Sequence, residues 1–316
     1  TGPNGARRAP APVLDPLAAS RHQIRRRRLA MLAAVLLVVA VIADAAASGG
    51  SRHPSARARA AASLRAGPAA AASVAHAKSA APNPAATQAA QEAAVARVLA
   101  YTPAIVEGGH TGNEVALTFD DGPGPYTPQL VATLDRLHVQ GTFFAIGEME
   151  RYFSAGTLAE LHSGDAIEDH TETHPMLAAL TATEQREQLF EQIVRMEVLG
   201  AARPLLFRPP YGSFSPTTFK IARSLHLLMV LWSTDTSDYQ LPGVPAIVQR
   251  ALAGAHPGAI ILMHDGGGNR AQTIAALPGI VAGLRRRGLR PVTVPQLLLD
   301  DPPPPGQPLP TNLSGD

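Results

Sequence analysis

The sequence predicts an α/β fold of parallel strands with covering helices, and three observations carry that prediction. Short β-rich apolar runs alternate with helical patterns between about residues 105 and 300, the order expected when crossover helices join parallel strands. Capping chemistry marks helix starts. Clusters of polar residues follow the ends of the strand-like runs, which in a β/α barrel is the catalytic face, so motifs far apart in sequence would converge.

The elements follow in order. Val115 to Phe119 reads as a strand, Pro128 to Leu137 as a helix and Thr142 to Ile146 as a second strand. A helix from about Thr183 to Leu199 is announced by Thr181 and Glu184, a capping-box pair. A short run, Leu205 to Phe207, precedes Ser215 and Pro216, an N-cap followed by a proline at the first helical position. Strands are expected at Leu227 to Leu231 and Ala259 to Met263, then a helix around Thr273 to Arg286 and a last strand near Pro291 to Val294.

Composition divides the 316 residues. Arg25, Arg26, Arg27 and Arg28 of a basic segment, residues 1–28, precede an apolar run over 29–47. That run is expected to be a single transmembrane anchor, or a signal h-region cleaved at an A-x-A pattern around Ala43 to Ala47, with the following chain outside. A buried core helix is the blander reading of the same run. Residues 48–104, rich in Ala and Pro, read as a flexible or partly helical linker, because few of their side chains can offset the entropy of ordering. Residues 105–300 then form the folded domain, and 301–316 a Pro-rich disordered tail.

The charge is as uneven as the hydropathy. Residues 1–90 carry 12 Lys/Arg against 2 Asp/Glu, whereas the rest carries 15 against 23. The folded part therefore has no excess of phosphate-neutralising charge, and nucleic acid is excluded as its partner. With no cysteine in the chain, neither disulfides nor thiolate zinc sites are available. Any metal must be held by His, Asp or Glu.

Five polar motifs supply such residues: TFDDGP from Thr118, HTETH from His170, RPPYG from Arg208, DTSDY from Asp235 and LMHD from Leu262. Asp120 and Asp121 end a strand before a Gly-Pro turn. Two adjacent carboxylates can divide the work, one binding a cation and one taking a proton from water, or they can form a solvated turn. His170 and His174 have the spacing of one helical turn, but Pro175 disfavours a helix there, so a loop is expected. They suit either a metal or a surface position. Glu168, Asp169 and Glu172 lie beside them, as partners that orient the rings or as added negative charge near a cation. Arg208 can pair with a carboxylate at the floor of a site or lie in a surface polyproline loop. Asp235 or Asp238, after the sole tryptophan, Trp232, can hold an imidazole in one tautomer, or belong to a turn. His264 ends a buried strand before Asp265 and three glycines, where it can serve as a general acid.

Jointly and in this order, the five motifs resemble those of the polysaccharide deacetylases with a NodB homology domain, carbohydrate esterase family four, over about residues 112 to 298. The resemblance implies a distorted, incomplete (β/α) barrel. It implies a divalent metal on Asp121, His170 and His174, zinc first with cobalt or manganese as alternatives. It also implies Asp120 as general base, Arg208 positioning it, His264 as general acid tuned by Asp238, and the Tyr211 N–H as oxyanion stabiliser. Leu262, Tyr239 and Trp232 would line the acetyl pocket. Tyr239 stands where the family often has Trp, and G-D-A-I-E-D-H replaces the common G-H-E-I-G-N-H.

The expected activity is metal-dependent removal of N-acetyl groups from N-acetylglucosamine units of a polymer, peptidoglycan or a chitin-like chain. An acetyl-xylan esterase, a catalytically silent glycan-binding module and a membrane-anchored scaffold are the alternatives. The expected partners are an acetylated polysaccharide and, through residues 29–47, the membrane. A flexible linker of some fifty residues would span roughly 40 Å, enough to let the domain reach a surrounding wall.

Overall fold

The computed structural model describes residues 84–308. The expectations for residues 1–28, 29–47 and 48–83 lie outside these. Among the described residues no helix is long and apolar enough to cross a membrane.

Nine strands form one sheet in which all the strand pairings are parallel. They are β1 (Ala104–Ile105), β2 (Glu114–Asp120), β3 (Thr142–Ala145), β4 (Ala166–Asp169), β5 (Leu206–Phe207), β6 (Leu228–Val230), β7 (Thr234–Asp235), β8 (Ile260–His264) and β9 (Arg290–Val292). The order is β1-β6-β5-β4-β3-β2-β8-β7, with β9 also on β2. No pairing joins β1 to β7, so the sheet curls without closing: an incomplete barrel, as expected.

The helices are α1 (Pro84–Tyr101), α2 (Thr127–Leu137), α3 (Gly147–Tyr152), α4 (Ser154–Ser163), α5 (Ala182–Val198), α6 (Pro216–Ser224), α7 (Val244–Ala253), α8 (Ala271–Arg286) and α9 (Val294–Asp300). The start signals act as the sequence implies. Thr181 and Glu184 form a capping box on α5, and Ser215 caps α6 ahead of Pro216. Such a cap satisfies amides that the helix itself leaves without acceptors.

Alternation along the strands builds the site. On β2, Val115, Leu117 and Phe119 join a core cluster with Phe143 of β3, Met263 of β8 and residues of α2 and α8. The alternate Ala116 belongs to a second cluster with Phe144, Leu206, Leu228, Val230 and Ile260. Because side chains repeat every two residues along a strand, Thr118 and Asp120 share the face of Ala116. By the same spacing Arg208 follows Leu206, Trp232 follows Val230, and Leu262 and His264 follow Ile260. The polar groups thus continue an apolar stack at the C-terminal ends of the strands.

Two boundaries differ from the sequence reading. Residues 84–104 are not linker: α1 buries Ala94, Val95, Val98 and Leu99, the last three of which join the second cluster beside Val294, Leu297 and Leu298 of α9. These side chains repeat at helical spacing, and one apolar stripe is enough to dock an Ala-rich helix. The described part of the tail, 301–308, is also packed. Asp301 is buried and accepts hydrogen bonds from the Thr111 and Gly112 amides, each at 2.8 Å, and the Pro303 carbonyl accepts one from the Tyr101 hydroxyl at 2.6 Å. β4, α3, α4, α7 and α9 are further elements that the sequence reading did not mark.

Leu99→Ala removes one of the largest side chains in the α1 stripe and should lower stability by about 2 kcal/mol, read as a lower urea midpoint at unchanged slope. An unchanged midpoint would return α1 to the linker.

Candidate active site

β2 delivers two carboxylates in different settings. Asp120 still lies in the strand, whereas Asp121 has φ 69° and turns away from it. The turn is tightly packed: a Cβ on Gly266 would lie 1.9 Å from the Asp121 carbonyl oxygen, so only glycine fits. The Asp265 and Gly266 amides donate to the Asp120 carbonyl at 3.1 and 3.3 Å, fixing the loop after β8 against the end of β2.

Arg208 is fully buried and forms the floor. Its guanidinium donates to Asp120 Oδ1 at 2.7 Å, the Thr118 hydroxyl at 2.9 Å, and the Val230 and Leu231 carbonyls at 3.1 and 3.0 Å. It lies 4.1 Å from the centre of the Phe144 ring, an added attraction for a desolvated cation. One Asp120 oxygen is thereby committed; the other, Oδ2, lies 3.8 Å from His170 Nε2.

His170 and His174 lie in a loop after β4, not in a helix, with Thr171 and His174 at φ 71° and 58°. His170 Nδ1 is 2.7 Å from the Arg208 carbonyl oxygen. A carbonyl only accepts, so Nδ1 carries the proton and the neutral ring presents its lone pair at Nε2. That Nε2 and the Nε2 of His174 stand 3.5 and 3.0 Å from Asp121 Oδ1. The three candidate ligand atoms lie within 4.8 Å of one another. One carboxylate and two imidazoles, that of His170 with a fixed tautomer, fit a divalent cation with open coordination positions. Burial pushes the Asp121 carboxyl up, but the interactions with His170 and His174 beside it and with the nearby His264 outweigh it. Its pKa falls well below the ordinary carboxylate value.

His264 stands beside Asp120 in the β2–β8 register. Its Nδ1 meets Asp238 Oδ1 at 2.8 Å, and Asp238 Oδ2 accepts from the His264 amide at 2.9 Å and the Thr273 hydroxyl at 2.6 Å. Of the two aspartates open from sequence, Asp238 therefore holds the ring; Asp235 caps the Ser237 amide at 2.6 Å. Burial lowers the His264 pKa, but the Asp238 hydrogen bond and the charges of Asp238, Asp121 and Asp120 raise it to about 9.

A cleft of about 300 Å³ is lined by Asp120, Asp121, His170, His174 and His264, and also by Tyr211, Trp232, Tyr239 and Leu262. Tyr211, at φ 58°, meets His174 edge-on at 4.6 Å, and Tyr239 meets His264 edge-on at 5.3 Å. Arg270 and Gly267 also line the cleft and were missed from sequence. The signal was slight: an arginine two residues past the glycine run, whose Nε donates to the Gly266 carbonyl at 2.6 Å.

The expectation for Glu168, Asp169 and Glu172 is corrected. Burial raises Glu168 to about 8 and Asp169 well above the ordinary value, against the backbone N–H groups that oppose the shift. Glu168 is therefore largely uncharged at neutral pH. Glu168 accepts from the Leu205 and Leu206 amides at 2.8 and 2.9 Å, and Asp169 from the Thr171 amide at 2.7 Å. Glu172 pairs with Arg195 rather than with either histidine.

Comparison with known proteins finds relatives of this sequence and fold. A family model for polysaccharide deacetylase matches residues 107–230. A peptidoglycan-N-acetylglucosamine deacetylase of Bacillus cereus is 39% identical over 197 residues, covering 58% of this chain and 87% of that protein. A chitooligosaccharide deacetylase of Sinorhizobium fredii is 34% identical over 211 residues, 63% of this chain and 98% of that one. Among solved structures, a carbohydrate esterase family four pseudoenzyme from Bacillus anthracis matches with TM-score 0.59 at 29% identity, covering 62% of this chain and 69% of that chain. In sequence and in fold, the chain belongs to the polysaccharide deacetylase family.

Proposed function

We propose that this chain hydrolyses N-acetyl groups on N-acetylglucosamine units of a polysaccharide, peptidoglycan first, with a divalent cation, zinc first, held by Asp121, His170 and His174. The observation that carries the reading is the pairing of Asp120 with His264 on adjacent strands, in one cleft with the Asp121, His170 and His174 cluster. A base and an acid stand where one amide can reach both.

When bound, the cation polarises the acetyl carbonyl and makes a water acidic. Arg208 holds one oxygen of Asp120, so the other accepts the water proton from a fixed position. His264, braced through Nδ1 by Asp238, presents Nε2 to the departing amine and protonates it. The Tyr211 amide adds a donor for the developing oxyanion, and Leu262, Tyr239 and Trp232 form the acetyl wall.

Peptidoglycan is favoured by the Bacillus cereus relative's name and by the neutral Glu168, which removes a source of repulsion for an acidic polymer. The basic segment before residues 29–47 supports export, tethered to the membrane or secreted. The similarity to a pseudoenzyme gives the silent glycan-binding reading its support; a binder, however, has no use for a braced acid beside a held base.

Acetate release from peptidoglycan, N-acetylglucosamine oligomers and acetylated xylan, with and without chelator and added zinc, tests the reaction. Zinc-restored release from a glucosamine polymer is expected. Preferential release from xylan would make the protein an ester hydrolase, and none anywhere with metal bound would favour the binding module. Asp120→Asn should lower kcat by about 10²- to 10⁴-fold; a wild-type rate would remove Asp120 as base.

The acid has its own signature. His264 donates only when protonated, so kcat/KM falls as pH rises through its pKa, raised to about 9 mainly by Asp238 against burial. Asp238→Asn keeps an acceptor for the ring N–H but removes the charge, so this alkaline limb should move to lower pH by roughly one unit or more. A limb that stays in place would dissociate it from His264.

A further inference from the structure

Glu107, His110 and His256 lie together at the opposite rim of the sheet from the cleft. Glu107 forms an antiparallel bridge with Ala259, immediately before β8, whereas His264 ends that strand in the cleft. Five strand residues separate the two rims by about 17 Å.

The backbone brings the three side chains together. The Gly108 amide donates to the Gly258 carbonyl at 2.8 Å. Gly258 has φ 85°, and a Cβ there would lie 2.2 Å from the Gly109 carbonyl oxygen, so the close approach depends on glycine. His256 sits two residues before this contact and His110 just after it. His110 Nε2 is 3.2 Å from Glu107 Oε1, and His256 Nε2 is 3.5 Å from Glu107 Oε2. The rings are 5.3 Å apart at 78°, and three ligand atoms of the group lie within 4.8 Å of one another.

The His256 tautomer says what belongs between them. Its Nδ1 lies 2.8 Å from the Pro257 carbonyl, which can only accept, so Nδ1 carries the proton. In the neutral ring the lone pair is then at Nε2, facing a carboxylate. Two lone pairs in that position require a bridging proton or a cation. A cation bound there would meet both lone pairs at once. His110 and His256 are 59% and 43% exposed and Glu107 21%, so an ion can reach them and keep water in its other positions.

We propose that Glu107, His110 and His256 form a second metal site, for a divalent transition ion such as zinc, nickel or copper, that clips the loop after β1 to the loop before β8. Two imidazoles and one carboxylate suit these ions better than magnesium or calcium. The ligands hold neighbouring loops and touch none of the reacting groups, so the site is structural.

The test counts ions. The full chain, stripped by chelator, is dialysed against Zn²⁺ and the bound metal measured, for wild type, for His110→Ala/His256→Ala and for His174→Ala. The double variant should bind one ion fewer than wild type, with micromolar or tighter affinity for the lost ion, while keeping its acetate release. It should also lose part of the Zn²⁺-dependent rise in Tm. His174→Ala should lose the cleft ion and keep this one, so failure at the cleft is distinguishable from failure here. Equal Zn²⁺ stoichiometry in wild type and double variant, or loss of an ion bound only at millimolar concentration, overturns the proposal. Glu107→Gln preserves the side chain's shape and should lose the same ion. If it binds as wild type does, Glu107 is no ligand and the site falls.

Discussion

The site depends on Arg208 more than on any other residue, because this one side chain and its backbone reach both halves of the chemistry. The guanidinium binds Asp120, and the carbonyl of the same residue fixes the proton of His170 on Nδ1. Its amide donates to the Asp169 carbonyl at 2.9 Å, holding the end of β4 against the end of β5. A fully buried cation is tolerable only with partners on all sides. Here they are a carboxylate, a hydroxyl and two carbonyls, drawn from β2 and from β6 and the chain just after it. Stranding either member of the Arg208–Asp120 pair would cost about 3–5 kcal/mol, which couples the geometry of the base to the folding of the sheet. The candidate base and the nearest candidate metal-ligand imidazole are therefore set by one constraint.

Around that pair, charge is sorted by partner rather than by residue type. Asp238 is buried and Asp121 half-buried, yet imidazoles face them and their pKa values are depressed. Asp265, Glu150 and Glu168 are also buried but meet no such cation in contact, and burial raises them to about 7, 7 and 8. Asp265 illustrates the difference: it lies against the Asp120–Asp121 turn and is bound by the Thr127 hydroxyl. The charges of Asp121 and Asp120 raise it further. Negative charge is thus concentrated on the groups that would hold a cation or take a proton, while acids packed behind them tend to remain protonated. The excess of acidic residues in the folded part of the sequence does not translate into an equally negative cleft.

What was legible in the sequence followed from periodicity and from side-chain chemistry that needs no partner to recognise. β2, β3 and β8 are apolar runs that look like buried strands, and Thr181 with Glu184 announces α5. β4 was not legible, because Ala-Ile-Glu-Asp offers two apolar residues and then two acids. It is a strand because β3 and β5 pair with it, and backbone amides donate to both of its acids. α1 was taken for linker because alanines hide a stripe of three larger side chains that has meaning only against α9. The motif residues themselves were legible, but their division of labour was not fully so. On residue chemistry alone Asp235 and Asp238 are equivalent; the fold places the one that the resemblance implies under His264 and the other in a turn.

The backbone also shows where the fold yields to the site. Asp121, Thr171, His174 and Tyr211 all adopt positive φ, a region that side chains avoid, and a β-branched residue such as Thr171 most of all. These residues include two candidate metal ligands and the candidate oxyanion donor, on three separate loops. Strain distributed in this way persists only where surrounding structure over-determines it, and here the Gly266 contact, the Arg208 carbonyl and the β2–β8 register supply that structure. A silent relative can share the curled sheet, since the sheet needs only its apolar alternation. The strained turns give that sheet no stability, so their presence alongside the braced His264 points to a cleft shaped for reaction rather than for binding alone.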